Sequence, residues 1–431
     1  MTDIEYLKSL EAVRERAELV LAAAEKGELS HFSYHPDELP AVASEVVGII
    51  SRDFGPDNFD KIPPHGRWQH FDIGGIPRVD NLIKQWQGSG CDKVEIARRL
   101  IDLFFVSVLL DAGAGDVWKF TEPGTNNSYG RSEGIAVAAL YMYKSGALSS
   151  QKSEVPEHVD GKGLADLNVE TFRKHFQITP ENEIVSDASR VSLLNSVGKS
   201  LLNQTRIFGN DGRPGQLVDY LMKEGGGSQR LNFRTLWFVL QETLLPSWPK
   251  NRTHIAGVPI GDSWPLETLA RVNAGKQSDN NTLNIQPFHK LTQWLAYSLS
   301  VPFMRILDYQ WDNIELGTGL PEYRNGGLFV DLGVLKLKED TLKEGQRRSG
   351  QDIPSFEATS DVIVEWRAMT VALLDKLHGP VSEFYAVQDF NLSMAQMLEA
   401  GTWKLGRELA AKFRPNTKSS PILIEGDGTL F

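Results

Sequence analysis

The sequence predicts a mostly α-helical protein, organised as one large helical domain over residues 1–431 with a few short strands. Apolar residues recur at helical spacing through most of the chain, and stretches that alternate like strands are few. The strand candidates are too few for a sheet of repeating βαβ units. Apolar helices run towards both ends without a long biased linker between them, which favours a single domain.

Start and stop signals delimit the first helices. Asp3 and Gly27 bracket a helix over residues 4–25. Pro36 precedes a second helix that ends at Ile50.

The next helix is predicted to begin at Asp92, because Glu95 follows three residues later as in a capping box. It leads to Asp111. Later helices are predicted over residues 131–144, 168–176, 188–203, 216–223, 233–245, 287–300, 361–377 and 393–413. The best strand signals are residues 422–425 and 327–330.

Composition narrows the function classes. The 431 residues are 41% hydrophobic and 9% aromatic, which is typical of a globular protein with a core. A net charge of −11 without a long Lys/Arg run argues against nucleic-acid binding, and the absence of a long apolar stretch argues against a membrane span. The N-terminus lacks a signal-peptide pattern, so we expect a cytoplasmic protein. A single cysteine, the histidine spacings and the lack of a dinucleotide motif predict no metal site and no cofactor.

An acid stands at the end of an otherwise apolar helix, at Asp111 in the run LFFVSVLLDAGAG. The carboxyl end of a helix has a negative potential, and large apolar neighbours add a desolvation cost, so a carboxylate is unfavourable there. A carboxyl in such a place suits proton transfer or stabilisation of a cation. The structural alternative is an Asp that closes the glycine-rich turn and faces solvent.

Small and polar residues precede the helix predicted over 131–144. Hydroxyls and free backbone N–H groups at a helix start suit a sugar or a phosphate. The candidates for substrate binding here are Trp118, Tyr129, Arg131 and Glu133. Glu133 has a structural alternative, because acids in a first turn stabilise helices. Residues 130–134 match Gly-x-Ser-x-Gly, but a polar loop instead of a strand is expected before them, which argues against a nucleophile elbow.

A second polar group lies in the helix predicted over 287–300. His289 and Gln293 are four residues apart, as are Lys290 and Trp294, so hydrogen-bonding side chains recur on one helix face. Such a face either lines a pocket or forms an internal network.

Two further acids lie inside apolar runs, at Asp331 and Glu365. A buried Asp331 needs a partner, and Arg367 or Lys290 would complete a structural ion pair; otherwise Asp331 is a second functional acid. Glu365 belongs to a helix that is apolar almost all round, so the helix is predicted to be central. Its closeness to Arg367 is more typical of an internal network than of a catalyst. Trp366 is a candidate pocket wall.

Residues 66–71 and residues 401–407 each mix aromatic and basic side chains. The second segment contains Trp403 and Arg407. An arginine stacked on a tryptophan can take a ligand anion, and cation–π packing is the structural alternative.

Several of these segments together resemble the uracil catabolism protein 4 family of fungi and bacteria, from about residue 5 to the C-terminus. The matching segments are residues 110–115 with Trp118, 128–134, 287–295, 328–335, 364–368 and the closing 424–431. A fainter resemblance, which departs at Tyr297, links the chain to queuosine salvage nucleosidases, which are all-helical and akin to DNA glycosylases. It implies a DNA-glycosylase-like fold.

The resemblance implies cleavage of the N-glycosidic bond of ribosylurea or its 5′-phosphate, giving urea and ribose or ribose phosphate. The substrate is then a small ribosyl molecule. Cleavage passes through a cation-like sugar that a carboxylate can stabilise. In our hypothesis Asp331 stabilises that cation or activates water, and Asp111 contacts the ribose hydroxyls or the leaving urea, with Glu365 as a third candidate. The candidates for binding are Trp118, Tyr129, Arg131, Glu133, His289, Lys290, Gln293, Trp294, Trp366 and Arg367.

Two alternatives remain at this point. An amidohydrolase would cut the ureido group itself and release ammonia and carbon dioxide. A non-catalytic protein of the same route would bind the ligand without turnover.

Overall fold

The computed structural model describes residues 2–111, 113–115, 117–151, 157–248, 252–276 and 279–426. This part of the chain is mostly helical, as the sequence predicts, and its strands are two or three residues long. None of its helices is both long and apolar enough to cross a membrane.

Twenty α-helices occur in the described residues. They are α1 (Asp3–Leu7), α2 (Leu10–Ala24), α3 (Leu39–Phe54), α4 (Trp68–Phe71), α5 (Arg78–Gly88), α6 (Lys93–Leu109), α7 (Arg131–Lys144), α8 (Gly161–Ala165), α9 (Val169–His175), α10 (Asp187–Asn203), α11 (Thr205–Phe208), α12 (Leu217–Glu224), α13 (Phe233–Leu244), α14 (Glu267–Val272), α15 (Lys290–Arg305), α16 (Tyr323–Asp331), α17 (Glu339–Ser349), α18 (Asp361–Ala386), α19 (Met394–Met397) and α20 (Trp403–Phe413). A π-helix, Leu398–Thr402, joins α19 to α20.

The strands form two-stranded sheets only. They are β1 (Phe32–Tyr34), β2 (Lys119–Thr121), β3 (Ser128–Gly130), β4 (Arg230–Asn232), β5 (His254–Ile255), β6 (Val258–Pro259), β7 (Ser263–Pro265), β8 (Ile285–Pro287), β9 (Gln310–Asp312), β10 (Leu335–Leu337), β11 (Ser355–Glu357) and β12 (Leu423–Glu425). The antiparallel pairs are β1–β10, β2–β3, β5–β6 and β7–β8, and the parallel pairs are β4–β9 and β11–β12.

The chain divides into two compact units. The first comprises the described residues within 1–65, 251–293 and 315–426, and the second comprises those within 66–250 and 294–314. The single helical domain expected over residues 1–431 stays a prediction.

In the first unit, α18 is the central helix. Its residues from Val362 to Leu374 are buried, and it packs against α2, α3 and α16. The expectation of a central helix is therefore confirmed. Gly406 lets α20 approach α16 closely, because a Cβ at this position would lie 2.3 Å from the carbonyl oxygen of Arg324.

In the second unit, α6 and α7 are buried along most of their length and pack against each other. Asp92 caps α6 by accepting a hydrogen bond from the backbone N–H of Glu95 at 2.8 Å, as predicted. Gly134 allows α7 to lie against β3, since a Cβ would come within 2.4 Å of the carbonyl oxygen of Tyr129.

Several local predictions were wrong. Residues 327–330 lie inside α16, because the flanking acid Glu322 caps a helix there. The helix predicted from residue 287 begins at Lys290, after β8 and a left-handed His289 (φ 47°). The helix over residues 4–25 is two helices, because Ser9 caps a new one.

Candidate active site

Asp111 follows the end of α6 and is held by an arginine that sequence reasoning did not pair with it. Nη1 of Arg67 donates to Oδ2 of Asp111 at 2.8 Å, and its Nε donates to Oγ of Ser107 at 2.8 Å. The Arg67 side chain is fully buried and that of Asp111 is 8% exposed. The alternative of a solvent-facing turn residue is therefore disfavoured.

A second arginine, Arg190 of α10, closes the end of the same helix. It donates to the carbonyl oxygen of Leu110 and, at 2.7 Å, to that of Gly113. Burial lowers the pKa of Arg190 to about 10, and the Asp111 charge opposes that shift. Since the carbonyl of Leu110, the C-cap of α6, belongs to the negative end of the helix dipole, the two guanidinium groups explain how a carboxylate is tolerated there.

The Arg67–Asp111 pair leaves one donor group and one acceptor unused. Nη2 of Arg67 is buried and meets no hydrogen-bond partner among the described residues. Within the same residues, Oδ1 of Asp111 accepts no hydrogen bond. Burial lowers the pKa of Arg67, and the charges of Asp111 and Glu133 oppose that shift. A buried donor without a partner is costly, so it points to a ligand or a water as the missing group.

Glu133 lies in the first turn of α7 and is 9% exposed. Arg131 begins α7 in the left-handed region (φ 54°), and no side chain caps this helix. The expected loop before α7 is in fact a hairpin of β2 and β3, so a strand does precede the Gly-x-Ser-x-Gly segment. In a nucleophile elbow the nucleophilic serine itself occupies the strained turn, whereas here the left-handed residue is Arg131 and not Ser132. The nucleophile elbow therefore stays disfavoured.

The other candidates of the second unit lie in separate contacts. Nε1 of Trp118 donates to the carbonyl oxygen of Phe176 at 2.9 Å, and the two rings stack, which favours core packing. The Tyr129 hydroxyl accepts from Nη2 of Arg78 at 3.1 Å. The Trp294 ring lies 5.4 Å from the ring of His70.

In the first unit, Arg367 is fully engaged by an aspartate that the sequence interpretation had overlooked. Its Nη1 and Nη2 donate to the two carboxylate oxygens of Asp262 at 2.8 and 2.7 Å. Asp262 also accepts from Nε1 of Trp264 at 2.8 Å and from the backbone N–H of Lys290 at 3.0 Å. Burial raises the pKa of Asp262, but the Arg367 charge and these donors outweigh it and bring the pKa to about 2.

The polar residues around 289 make internal contacts. His289 is fully buried, burial lowers its pKa, and Nε2 lies 2.7 Å from the carbonyl oxygen of Leu7. Gln293 accepts from the backbone N–H of Thr318 at 3.1 Å. Lys290 contributes to the field at Glu322, whose pKa is raised by burial. These contacts favour the internal network over a pocket-lining face.

Asp331 has a partner, but it is neither Arg367 nor Lys290. Arg414 donates to both of its carboxylate oxygens, at 2.8 and 2.6 Å, and the Asp331 side chain is 6% exposed. The expected partners were wrong because α20 brings Arg414 beside the end of α16. A bidentate pair with both oxygens occupied favours the structural role.

Glu365 and Trp366 also make hydrogen bonds to other groups of the protein. Glu365 accepts from the backbone N–H groups of Ser30 and His31, each at 2.7 Å, and from the Thr268 hydroxyl. Nε1 of Trp366 donates to the carbonyl oxygen of Gly326 at 3.1 Å. These contacts favour structural roles for both residues.

The structure therefore gathers the predicted residues into several groups. Arg367, His289 and Lys290 surround Asp262, whereas Asp331, Glu365 and Gln293 lie in networks of their own. In the second unit, the buried side chain of Arg67 lies in the field of both Asp111 and Glu133. The sequence offered one signal for Arg67, namely a basic residue within the aromatic segment 66–71. No local feature of the sequence distinguishes Asp262.

One group of possible metal ligands occurs among the described residues. Ligand atoms of His31, Glu267 and Asp361 lie within 4.8 Å of one another. Nε2 of His31 is 2.9 Å from Oδ2 of Asp361, so an ion pair already accounts for their closeness.

Comparison with known proteins gives consistent matches over nearly the whole chain. Residues 6–431 match the family described as "Protein of unknown function (DUF1688)". The chain is 47% identical to Protein urg3 of Schizosaccharomyces pombe over 426 residues, which covers 99% of this chain and 98% of the relative. It is 42% identical to Uracil catabolism protein 4 of Lachancea kluyveri over 442 residues, which covers 99% of each chain.

Proposed function

The chain belongs to the uracil catabolism protein 4 family, and from that membership we propose that it acts in uracil catabolism as an N-ribosyl hydrolase. Its proposed substrate is ribosylurea or ribosylurea 5′-phosphate. The products are urea and ribose or ribose 5-phosphate.

The open Arg67–Asp111 pair is the observation that carries this proposal. It offers a buried N–H donor at Nη2 and a carboxylate oxygen at Oδ1, and neither has a partner among the described residues. A ribosylurea presents a carbonyl oxygen at one end and an electron-poor sugar carbon at the other. A guanidinium and a carboxylate held side by side complement those two groups.

In the proposed reaction the bond between the anomeric carbon and the ureido nitrogen breaks, and its electrons go to the departing urea. Arg67 donates from Nη2 to the ureido oxygen, where negative charge develops. Asp111 faces the anomeric carbon through Oδ1 and stabilises the cation. Glu133 accepts a proton from the attacking water, whose oxygen bonds to the anomeric carbon. That proton then passes from Glu133 through solvent to the nitrogen of the departing urea, which restores the carboxylate.

Other residues of the second unit would place the sugar. Arg131 and the uncapped N-terminus of α7 suit a 5′-phosphate, because backbone N–H groups and a cation favour an anion. Trp294 and Tyr129 are proposed to contact the ribose. Asp331 and Glu365 take no direct part in the proposed reaction, because both carboxylate oxygens of each already accept hydrogen bonds from the protein.

The direct experiment incubates the purified protein with ribosylurea and, separately, with its 5′-phosphate, and detects urea. Urea formed together with a ribose species supports the proposal. Ammonia and carbon dioxide in place of urea would identify the amidohydrolase alternative. Binding of either compound without any product over hours would identify a binding protein.

A matched pair of arginine variants sharpens that experiment. Arg67→Lys keeps a positive charge but loses the planar donor, and we expect kcat/KM to fall roughly 10- to 100-fold. Arg414→Lys is the control, because Arg414 pairs with Asp331 in the first unit, and it should leave kcat/KM nearly unchanged. Equal effects of the two variants would refute the role of Arg67.

A further inference from the structure

A cavity of about 340 Å³ opens in the first unit beside the π-helix Leu398–Thr402. Its apolar wall is formed by Phe54, Pro63, Ala400 and Trp403. None of the residues that we assign to ribosylurea cleavage lines it. A cavity of this size is large enough for a small organic molecule.

The π-helix contributes one acidic and one apolar residue to the lining of this cavity. π-Helical turns are rare and occur often at functional sites, because the extra residue in the turn redirects neighbouring side chains. Here Glu399 and Ala400 of the π-helix and Trp403 directly after it line the cavity. The opposite side of the turn is fixed, since Gly401 packs so closely against α3 that a Cβ would lie 2.8 Å from Val46.

The Glu399 carboxylate is oriented by a buried histidine. Nδ1 of His65 lies 2.6 Å from Oε2 of Glu399, and the histidine side chain is 2% exposed. The backbone N–H of His65 donates to the carbonyl oxygen of Ala395 at 2.8 Å, which fixes the residue that holds Glu399. The carboxylate therefore presents a positioned hydrogen-bond acceptor to the cavity.

Cationic donors face the same space. The guanidinium of Arg407 lies over the Trp403 ring, 4.7 Å from its centroid. Lys404 also lines the cavity and is paired with Asp53.

The charges that line the cavity balance. Lys404 and Arg407 contribute two positive charges, and Glu399 and Glu408 contribute two negative charges. Glu408 is itself paired with Arg52 at 2.7 Å. A balanced lining disfavours a strongly anionic ligand and suits a neutral molecule that both donates and accepts hydrogen bonds.

We propose that this cavity binds a small, neutral, planar heterocycle whose ring N–H stands next to a carbonyl group, the lactam or imide class. The N–H donates to Glu399, the carbonyl oxygen accepts from Arg407 or Lys404, and the ring lies against the apolar wall that Trp403 forms. The site is a second binding site of the protein and takes no part in the proposed hydrolysis.

Uracil is the test probe, because it is planar, neutral and carries both lactam and imide edges. Its binding to the full chain is measured by calorimetry and by saturation-transfer NMR, alongside inorganic phosphate as an anionic rival. We expect Trp403→Leu and Glu399→Gln each to weaken uracil binding roughly tenfold or more, because aromatic stacking and a charged acceptor are lost. Phe238→Ala, an exposed aromatic residue of α13, is the control and should bind uracil as the wild type does.

Unchanged uracil binding in both cavity variants, no binding of uracil at millimolar concentration, or binding of phosphate in its place would each overturn the proposal. If Trp403→Leu does not fold, Glu399→Gln keeps the test open, since it preserves shape. The outcome is separable from the hydrolase proposal. Loss of uracil binding with urea release intact supports this site alone, and loss of urea release with both variants would place their residues in the substrate site instead.

Discussion

Each of the two units contains a buried arginine–aspartate pair, and the pairs differ in how completely their polar atoms are used. In the first unit, every nitrogen of the Arg367 guanidinium has a partner, and both carboxylate oxygens of Asp262 accept two hydrogen bonds each. In the second unit, Arg67 keeps an unpartnered Nη2 among the described residues, and Oδ1 of Asp111 is likewise open. Folding alone explains the closed pair, whereas the open pair leaves polar atoms that, in our proposal, the ligand completes.

The largest expected effect is on catalysis, and it concerns the open Arg67–Asp111 pair. Asp111→Asn should lower kcat/KM for urea release about 1,000-fold, because the charge that stabilises the sugar cation is lost. The rate is measured per folded molecule. Turnover within threefold of the wild type would remove Asp111 from the reaction.

Asp331→Asn is the matched control for that variant. Its partner Arg414 occupies both oxygens, so the substitution should weaken folding and leave turnover per folded molecule within threefold. A 1,000-fold loss in this variant would restore the direct role that the sequence suggested for Asp331.

The closed pair should matter chiefly for stability. Asp262→Asn leaves the buried guanidinium of Arg367 without a counter-charge, and we expect the free energy of unfolding to fall by about 3 kcal/mol. Guanidinium chloride denaturation measures the change. A shift below about 0.5 kcal/mol would show that the pair does not hold the first unit together.

Lowering the pH should neutralise Asp262 and so remove the same charge that the Asp262→Asn substitution removes. The pKa of Asp262 is lowered from its ordinary 3.8 to about 2, so its ionised form stabilises the folded state above about pH 4. That contribution, about 2 kcal/mol, is lost as the pH falls from about 4 to about 2. The stability difference between wild type and Asp262→Asn should shrink over this range, and a difference independent of pH would contradict the assignment.

The smallest expected effect is the change in stability when each arginine–aspartate pair is replaced by apolar residues. Arg67→Met with Asp111→Leu should be neutral or stabilising by about 1 kcal/mol, because an incompletely satisfied ion pair is removed. Asp262→Leu with Arg367→Met leaves Nε1 of Trp264 and the backbone N–H of Lys290 without their acceptor and should destabilise. Thermal denaturation of both double variants measures the contrast, and the reverse order of stabilities would refute it.

The sequence predicts many of the longer helices but misses others, such as α5 and α17, and it predicts the partners of the acids poorly. Helical periodicity and capping residues are local, so α7 is predicted at its observed bounds and the cap at Asp92 is confirmed. The strand expected over residues 422–425 is confirmed as β12. The wrong strand at residues 327–330 shows the limit of short apolar runs, which fit either structure.

The buried ion pairs of Asp331 and Asp262 join residues that are far apart in the chain, so no local spacing in the sequence predicts them. Asp331 and Arg414 are 83 residues apart, and Asp262 and Arg367 are 105 apart. Asp111 was recognisable from its place at a helix end, because local apolar context makes a charge conspicuous there. The arginines that make it tolerable, Arg67 and Arg190, are recognisable only in the folded chain.

Whether the open Arg67–Asp111 pair binds the substrate is best tested by a crystal structure of Asp111→Asn with ribosylurea bound, because the slow variant retains the substrate. We expect the ureido oxygen within about 3 Å of Nη2 of Arg67 and the anomeric carbon beside the side chain of residue 111. Ribosylurea bound elsewhere, with Nη2 of Arg67 donating to another protein group, would contradict this expectation.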